Sequence, residues 1–188
     1  YQIVYDSAQL VIVWDSIGEV LYSGEMNGGI NVYDQRSEPQ VRRFASADAK
    51  GPLVPRLNIH KMDSIGDDVA PVGHADAITV LLPIVKLQFL ASASLDRKII
   101  LWDVIKNKKK KEFKNFHKKA VTCLDYSESL IILLSGSLDH QIYIWNPYVD
   151  APIYSLRDHA FPIISIKLVE EPFHLLSLDN AGNAKLWD

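Results

Sequence analysis

Short apolar runs separated by polar turns recur along this chain of 188 residues. β-Rich runs that turn residues interrupt every ~8–12 positions are typical of antiparallel strands. The clearest set is Ile78–Leu82, Leu87–Ser94 and Ile99–Trp102, separated by Pro83 and by Asp96-Arg97-Lys98. No apolar run approaches the roughly 18 residues that indicate a membrane-spanning helix. The pattern therefore predicts an all-β protein.

A constellation of polar and aromatic residues repeats through these runs with fixed spacing. In three consecutive copies a histidine precedes a serine by 18 residues, and a tryptophan follows that serine by 10. An aspartate follows the serine by 4 residues in the first two copies. Three unrelated segments would not share two intervals by chance, so the chain is predicted to be a repeat protein. The members are His74, Ser92, Asp96 and Trp102; His117, Ser135, Asp139 and Trp145; and His159, Ser177 and Trp187.

A buried polar chain is the structural interpretation of these residues. A serine hydroxyl between an imidazole and an indole, with a carboxylate on the far side of the imidazole, would stabilise the repeat when every group is hydrogen-bonded. We weigh this role above a catalytic one, because the sequence has no zinc-like spacing, no nucleophile elbow and no Gly-rich phosphate loop. No catalytic residue, metal or cofactor is predicted, and an enzyme is not expected.

The spacing and residue types resemble the WD-repeat (WD40) family, whose fold is a β-propeller with four-stranded blades. The resemblance covers nearly the whole chain, and it implies a structural tetrad of His, Ser, Asp and Trp. We expect four blade-equivalents that form an incomplete propeller, cut from a longer chain. Their boundaries are 1–34 for a divergent blade with the end of a preceding outer strand, 35–73 for an outer strand and a long insertion, 74–116, 117–158, and 159–188 without its outer strand.

The first and last blades are expected to have eroded tetrads. In the first blade Tyr5, Asn27 and Tyr33 stand at the His, Asp and Trp positions. In the last blade Ala181 takes the Asp position. Trp14-Asp15 looks like a repeat ending, but it aligns with the end of a first strand.

A long insertion is expected after the first blade, roughly at Ala45–Val72. An outer strand is predicted before it, at Gln40–Phe44. Loops of this length are usually functional or disordered.

Protein binding is the function that the resemblance favours, with the loops of a rigid propeller as the surface. Met26, Leu95 and Leu138 each precede the turn Asp or its equivalent. They form an apolar arc for a partner if they face the rim of the loop surface, and otherwise pack beneath neighbouring loops. Tyr33-Asp34-Gln35-Arg36 resembles the box of propellers that dock onto the DNA-damage-binding adaptor of cullin ubiquitin ligases. Arg36 would then mark a ligase substrate receptor, the alternative function, or would be an ordinary surface arginine.

Charge is spread unevenly, with eight lysines and one glutamate between Lys106 and Lys119 in a chain of net charge −3. One interpretation of the run is a solvated hairpin turn between the third and outer strands. The other is an anchor for an acidic surface such as tubulin tails, nucleic acid or an acidic partner segment. The candidate residues are Lys108, Lys109, Lys110 and Lys111. A lone cysteine, Cys123, excludes an internal disulfide and suits a reducing compartment.

A finer resemblance concerns short sequence segments within the second and third blades. Asp125-Tyr126-Ser127 and Trp145-Asn146-Pro147-Tyr148-Val149, with Leu81-Leu82-Pro83-Ile84, look like the WD-repeat proteins of cilia and flagella, some of which carry EF-hands. This resemblance implies a cytoplasmic or axonemal scaffold that binds other proteins, with microtubule components among the candidates. Small molecules and membranes are not expected as partners, and nucleic acid is not favoured.

Overall fold

The computed structural model describes residues 8–34, 73–106 and 108–188. These residues are almost entirely strands and turns, with one 3₁₀ turn at Val85–Leu87. Among them no helix has the length and apolarity that crossing a bilayer requires. The strands are β1 (Gln9–Asp15), β2 (Val20–Glu25), β3 (Ile30–Asp34), β4 (Ile78–Ile84), β5 (Phe89–Ser94), β6 (Ile99–Asp103), β7 (Lys108–Phe113), β8 (Val121–Ser127), β9 (Ile132–Ser137), β10 (Ile142–Trp145), β11 (Pro152–Leu156), β12 (Ile163–Glu170), β13 (Phe173–Asp179) and β14 (Ala184–Trp187).

The described strands form four antiparallel sheets, each made from strands that are adjacent in the sequence. Their orders are β1-β2-β3, β4-β5-β6-β7, β8-β9-β10-β11 and β12-β13-β14, which we call the first to fourth blades. The predicted all-β class is therefore confirmed. The strands of the last three blades span residues 78–113, 121–156 and 163–187. The predicted strand at Gln40–Phe44, the insertion, the end of the preceding outer strand expected at Tyr1–Val4, and Tyr5 lie outside the described residues.

Successive blades pack face to face in chain order. The first strand of each blade contacts the first strand of the next, as in β1 on β4, β4 on β8 and β8 on β12. An apolar layer fills each junction; between the first two blades Tyr22 and Ile30 meet Leu90 and Trp102. Burying one such side chain contributes roughly 1.5–3 kcal/mol. The four blades form an open arc of a β-propeller, as the sequence predicted.

The central strands explain why the apolar runs of the sequence are nearly continuous. β5 and β9 are each covered by a neighbouring blade on both faces, and five of the six residues in each are buried. A strand that is buried on both faces is apolar at successive positions and loses the simple alternation of a half-exposed strand. The two serines in each of these strands are buried as well, so the core has a polar component.

Two local expectations at the end of β4 were wrong. Pro83 was expected to end that strand, but it lies inside β4 opposite Leu90. A proline has no N–H to donate and is tolerated on an edge strand, which β4 is in its sheet. Leu87 was placed in the next strand, whereas it ends the 3₁₀ turn and β5 begins at Phe89.

The turn between the second and third strands has one backbone geometry in all four blades. The residue five positions after the central serine has positive φ: Gly28 at 85°, Arg97 at 71°, His140 at 68° and Gly182 at 86°. This left-handed conformation favours glycine, and other residues adopt it at a cost. At Gly28 a side chain would also meet the backbone of His74, so this turn lies against the second blade.

The only two threonines of the chain connect neighbouring blades. Both stand 13 residues before the central serine of their blade. Thr79 Oγ1 donates to the carbonyl of Val121 at 2.6 Å, and Thr122 Oγ1 donates to the carbonyl of Ile163 at 2.5 Å. At the same position the first blade has Leu10 and the fourth has Ile164. Hydroxyl contacts of this kind thus join the second blade to the third and the third to the fourth.

Replacing either threonine with valine should destabilise the chain, because the isosteric side chain leaves a carbonyl at the junction without its hydroxyl donor. We expect a loss of about 1–3 kcal/mol for Thr79→Val, measured as the free energy of unfolding in urea. Thr79→Ser is the matched control, since it keeps the hydroxyl and should lose less. A loss in the serine variant with none in the valine variant would show that the methyl group, and not the hydrogen bond, carries the contribution of Thr79.

Candidate functional site: buried polar chains and exposed loop residues

In the second blade Trp102, Ser92 and His74 lie in one line of hydrogen bonds. The indole Nε1–H of Trp102 donates to Ser92 Oγ at 2.8 Å. Ser92 Oγ lies 2.8 Å from His74 Nε2, and His74 Nδ1 lies 3.0 Å from Asp96 Oδ2. Because a carboxylate only accepts, His74 Nδ1–H donates to Asp96. The line of contacts therefore runs from indole through hydroxyl and imidazole to carboxylate.

Asp96 also fixes the backbone on both sides of this line of hydrogen bonds. Its carboxylate accepts hydrogen bonds from the N–H of Ala75 and of Lys98, each at 3.0 Å. Burial by itself raises the pKa of Asp96, but the hydrogen bond from His74 and these two backbone donors outweigh it, so the pKa lies below its ordinary value. The carboxylate thus stays ionised and ties the loop before β4 to the turn after β5.

The third blade repeats this geometry. Trp145 Nε1–H donates to Ser135 Oγ at 2.8 Å, Ser135 Oγ lies 2.8 Å from His117 Nε2, and His117 Nδ1 lies 3.1 Å from Asp139 Oδ2. The ring of Phe113, from the outer strand of the second blade, lies 4.7 Å from the Trp145 ring and helps to cover it. Aromatic pairs at this distance stabilise beyond their buried area.

The fourth blade has a complete line of Trp, Ser, His and Asp. The prediction that Ala181 leaves this blade without a carboxylate was wrong. Trp187 Nε1–H donates to Ser177 Oγ at 2.8 Å, and Ser177 Oγ lies 2.6 Å from His159 Nε2. Asp179, two residues before Ala181, supplies the carboxylate at 3.1 Å from His159 Nδ1. Side chains two residues apart on a strand point to the same face, so an aspartate at the end of β13 reaches the same ring.

Asp179 also takes over one backbone contact of the missing turn aspartate, the contact to the turn residue Asn183, which is equivalent to Lys98. It accepts from the N–H of Asn183 at 2.9 Å and from that of Ala181 at 3.1 Å. Burial tends to raise the pKa of Asp179, but the Asn183 N–H, the His159 ring, the Asn183 amide and the Ala181 N–H outweigh it and lower the pKa to about 2. The sequence contained the signal, an acidic residue two positions after the serine.

The first blade replaces the tetrad with a different polar group. Ser23, Glu25 and Asn31 are all buried, and the Asn31 amide donates to Glu25 Oε1 at 2.8 Å. Glu25 stands two residues after its serine, as Asp179 does. Asn27, expected to replace the Asp, is exposed and accepts from the N–H of Gly29 at 2.9 Å. Tyr33 is buried at the Trp position. Asn31 was not predicted from the sequence as a member of this polar group.

The order Ser-His-Asp also occurs in hydrolases, but these serines are placed differently. Ser92 and Ser135 have no exposed surface, and their hydroxyls already bind an indole and an imidazole. A nucleophile needs an open position at its oxygen, so the arrangement supports a structural role. Burial raises the pKa of Cys123 to about 11, so its thiol stays protonated at neutral pH. The described residues contain no cluster of His, Cys, Asp and Glu that could hold a metal.

The three apolar residues proposed for the loop surface occupy equivalent places. The N–H groups of Met26, Leu95 and Leu138 each donate to a carbonyl in the loop before the first strand of their own blade, at 2.9, 3.0 and 3.0 Å. Met26 is 56% exposed and Leu95 is 43% exposed, whereas Leu138 is half-buried. The fourth blade has Asn180 at this position. Exposed apolar residues thus occur at one turn position in the first two blades.

The lysine run does not form a hairpin turn, which corrects the sequence interpretation. The chain turns directly after Asp103, whose carboxylate accepts from the N–H of Lys106 at 2.9 Å. Lys108–Phe113 is β7, the outer strand of the second blade. The sequence contained a signal for this strand. β7 ends one repeat interval, 43 residues, before the end of β11, which is the outer strand of the third blade. An edge strand presents unpaired backbone groups, and lysines there oppose edge-to-edge pairing with other chains.

The four lysines fall into an exposed pair and a partly buried pair. Lys108 and Lys110 are exposed, whereas the side chains of Lys109 and Lys111 are 28% and 14% exposed. Lys109 Nζ lies 3.0 Å from Glu112 Oε2, and Lys111 Nζ lies 2.9 Å from Asp150 Oδ1 in the third blade. Half of the run therefore makes contacts within the chain. Arg36, the other charged candidate, lies outside the described residues.

Stacked antiparallel sheets that each hold an internal line of Trp, Ser and His are typical of the WD-repeat type of β-propeller. The sequence model of the family described as "WD domain, G-beta repeat" matches residues 70–103 and 108–146, which carry the tetrads of the second and third blades. The chain belongs to the WD-repeat family, whose propellers act as protein-interaction scaffolds.

Among curated proteins the chain is similar to cilia- and flagella-associated protein 337 B of Tetrahymena thermophila. The two are 33% identical over 179 residues, which is 94% of this chain and 12% of that protein. Actin-interacting protein 1-2 of Arabidopsis thaliana is 29% identical over 93 residues, 50% of this chain and 15% of that protein. The likeness to ciliary WD-repeat proteins that the short sequence segments indicated is thus confirmed. The chain spans a small fraction of the length of these relatives.

Two solved structures share the fold of the chain. The crystal structure of a mitotic checkpoint complex contains a chain with a TM-score of 0.72 and 17% identity, covering 99% of this chain and 49% of that one. The crystal structure of the computationally designed Ika4 protein gives a TM-score of 0.69 and 18% identity, covering 98% of this chain and 92% of that one. At these identities the likeness concerns the fold alone.

Two tryptophans in identical Trp-Asp dipeptides should respond differently to truncation. Trp102 is 2% exposed and donates to Ser92, whereas Trp14 lies in a first strand and is 46% exposed. Trp102→Ala should cost about 3–5 kcal/mol in the free energy of unfolding, because it removes a buried aromatic and leaves the hydroxyl without its donor. Trp14→Ala should cost less than about half of that loss. Similar losses in urea titrations would contradict the assignment of the polar chain.

Acid should destabilise the wild-type chain more steeply than the Asp179→Asn variant. The folded-state pKa of Asp179 is about 2, below the ordinary value of 3.8. A lowered pKa means that the ionised carboxylate favours the folded state, so its contribution is fully present above pH 3.8 and disappears as the pH falls towards about 2. Thermal midpoints measured between about pH 6 and pH 2 should converge for the two proteins in acid. Parallel curves would show that Asp179 has no such linkage.

Proposed function

We propose that this chain is part of a non-catalytic scaffold of the cilium or flagellum, where its blades bind other proteins. The observation that carries the proposal is the 33% identity over 94% of the chain to a cilia- and flagella-associated protein. That relative is much longer than the matched region, so the proposal concerns what this segment contributes to a larger protein. The covered serine hydroxyls of the polar chains support the non-catalytic part of the proposal.

The turns that follow the second strands form the proposed binding surface. Met26 and Leu95 expose about half of their side chains there, and Leu138 lies at the same position in the third blade. Exposed apolar side chains on a rigid surface favour protein partners, since covering them removes apolar area from water. Because Asn180 occupies this position in the fourth blade, the apolar part of the surface is limited to the first three blades.

A localisation experiment on the full-length protein tests this function. The protein would be tagged at its own locus in a ciliated cell, and isolated cilia would be extracted with detergent to give demembranated axonemes. We expect the protein in the axonemal fraction. Its presence only in the cell body, or only in the detergent extract, would contradict the proposal.

A surface variant links this localisation to the turns. Met26→Asp with Leu95→Asp should reduce axonemal retention without unfolding the chain, because both side chains are exposed. Ile153→Asp is the matched control, since Ile153 is an equally accessible aliphatic residue, 57% exposed, on the outer strand β11. Equal loss of retention in the control and the double variant would show that the turns are not the binding surface.

The outer strand β7 supplies a separate test for an acidic partner. If Lys108 and Lys110 contact the acidic microtubule surface, replacing both with serine should reduce co-sedimentation with microtubules and change stability by no more than roughly ±0.5 kcal/mol. The dependence on salt should be steep, because exposed charges are screened over about 8 Å at physiological ionic strength. Unchanged co-sedimentation would leave the exposed lysines with the edge-protecting role alone.

The partly buried lysines, Lys109 and Lys111, provide the control for that measurement. Lys109→Ser with Lys111→Ser removes the contacts to Glu112 and Asp150 and leaves the exposed pair in place. We expect a small loss of stability, on the order of 1 kcal/mol for the two partly exposed ion pairs together. Microtubule binding should change less than in the Lys108→Ser, Lys110→Ser variant.

A further inference from the structure

An apolar notch opens between the first and second blades, at the end of the sheets opposite the turns that carry Met26 and Leu95. It is formed by the β1–β2 turn of the first blade, the turn before β5 and the turn after β6 of the second. Its volume is about 230 Å³. The side chains that line it are mainly apolar, and they include Ile17, Val20, Val85, Phe89, Val104 and Ile105.

The walls of the notch present unusually exposed apolar residues. Ile17 is 74% exposed and Ile105 is 64% exposed. The turn that carries Ile17 is fixed by Asp15, whose carboxylate accepts from the N–H of Ile17 at 3.0 Å and from that of Gly18 at 2.9 Å. An aspartate that binds the backbone two and three residues ahead holds such a turn in one conformation. The exposed isoleucine therefore lies on a preorganised turn.

The corresponding end of the next junction is closed by an ion pair. Lys86 of the second blade lies 2.6 Å from Glu128 of the third, nitrogen to oxygen. Lys86 stands six residues before its central serine and Glu128 seven before its own. In the first junction these two positions are Ile17 and Val85, which leave the space between the blades open and apolar.

The third junction is closed by polar groups as well. Ser127 Oγ donates to Glu170 Oε1 at 2.7 Å, between the ends of the first strands of the third and fourth blades. The same end of the arc thus has polar closure at two described junctions and an apolar opening at one. This contrast distinguishes the notch from an ordinary gap between blades.

Size and charge indicate what the notch accepts. A volume of about 230 Å³ is below the roughly 300–1,000 Å³ of small-molecule sites and is of the order of one large side chain. Asp15 is the carboxylate that lines it, and the charged neighbours of the lining residues along the sequence are Glu19, Lys86, Asp103 and Lys106. Lys86 is paired with Glu128 of the third blade. Lys106 lies 3.9 Å from Asp103, so the Asp15–Glu19 turn keeps an excess of negative charge.

We infer that the notch binds a short segment of a partner protein, which inserts one aliphatic or aromatic side chain and places a basic residue beside the Asp15–Glu19 turn. Single buried side chains of this kind dominate the energy of many protein interfaces. The inference goes beyond the proposed ciliary function and does not require it, because it concerns the opposite end of the blades.

Selection from a random peptide library displayed on phage, with the chain as bait, tests the occupant. The decisive variant is Ile17→Lys with Val85→Glu, which installs in the first junction the ion pair that closes the second. We expect the enriched peptides to carry an apolar residue next to Lys or Arg. By fluorescence polarisation their affinity should fall about ten-fold or more for the closed variant, the usual effect of losing an anchor residue.

Two controls separate the notch from other surfaces and from misfolding. Ile153→Lys adds a charge on the exposed outer strand β11, away from the notch, and should leave peptide binding unchanged. The thermal midpoint of the closed variant should stay close to that of the wild type, because Ile17 is exposed and Val85 is half-buried.

Three results would overturn the inference. They are selection without enrichment, enriched peptides that lack the apolar and basic pair, and equal binding to the wild-type chain and the closed variant. None of these results bears on axonemal retention, so the notch and the ciliary proposal fail separately.

Discussion

The hydrogen bond from a tryptophan indole to a central serine hydroxyl is the contact on which each of the last three blades depends. It joins the third strand to the second, and the same hydroxyl reaches the histidine in the loop before the first strand. The histidine in turn binds a carboxylate near the turn after the second strand. Such a bond contributes only about 0.5–1.5 kcal/mol when made, but a buried group left without its partner costs more. The blade therefore needs all four members, or a replacement in the same place.

The fourth blade shows that a carboxylate must reach the histidine, whereas the sequence position that supplies the carboxylate can differ. Asp179 replaces the turn aspartate from the end of a strand, and it also binds the backbone N–H groups of the turn. In the first blade Glu25 lies at the corresponding position and binds Asn31. A buried polar group demands a partner, but several backbone positions can supply it. Interior positions are thus constrained by hydrogen-bonding geometry and not by residue type alone.

Positions outside the interior vary without disturbing the blade, and the candidate binding features lie there. The turn position after the second strand is Met26, Leu95, Leu138 and Asn180 in the four blades, all with the same backbone hydrogen bond. At the opposite end Ile17 and Val85 stand where the next junction has the ion pair of Lys86 and Glu128. A repeated scaffold therefore presents different chemistry at each blade, which suits a protein that contacts several segments of its partners.

The sequence by itself determined the repeat, the all-β class, the strand order within each blade and the members of the polar chains in the second and third blades. It could do so because the 18-residue and 10-residue intervals reflect one hydrogen-bonding geometry. Only the tertiary structure decided which lysines of the run are available, since Lys109 and Lys111 contact Glu112 and Asp150 whereas Lys108 and Lys110 are exposed. It also revealed Asp179 as a tetrad member and the notch beside Ile17. The availability of the lysines and the notch depend on contacts between strands and between blades, and such distances cannot be derived from spacing along the chain. Asp179 stood in the sequence two positions after its serine, but only the structure showed that it reaches His159.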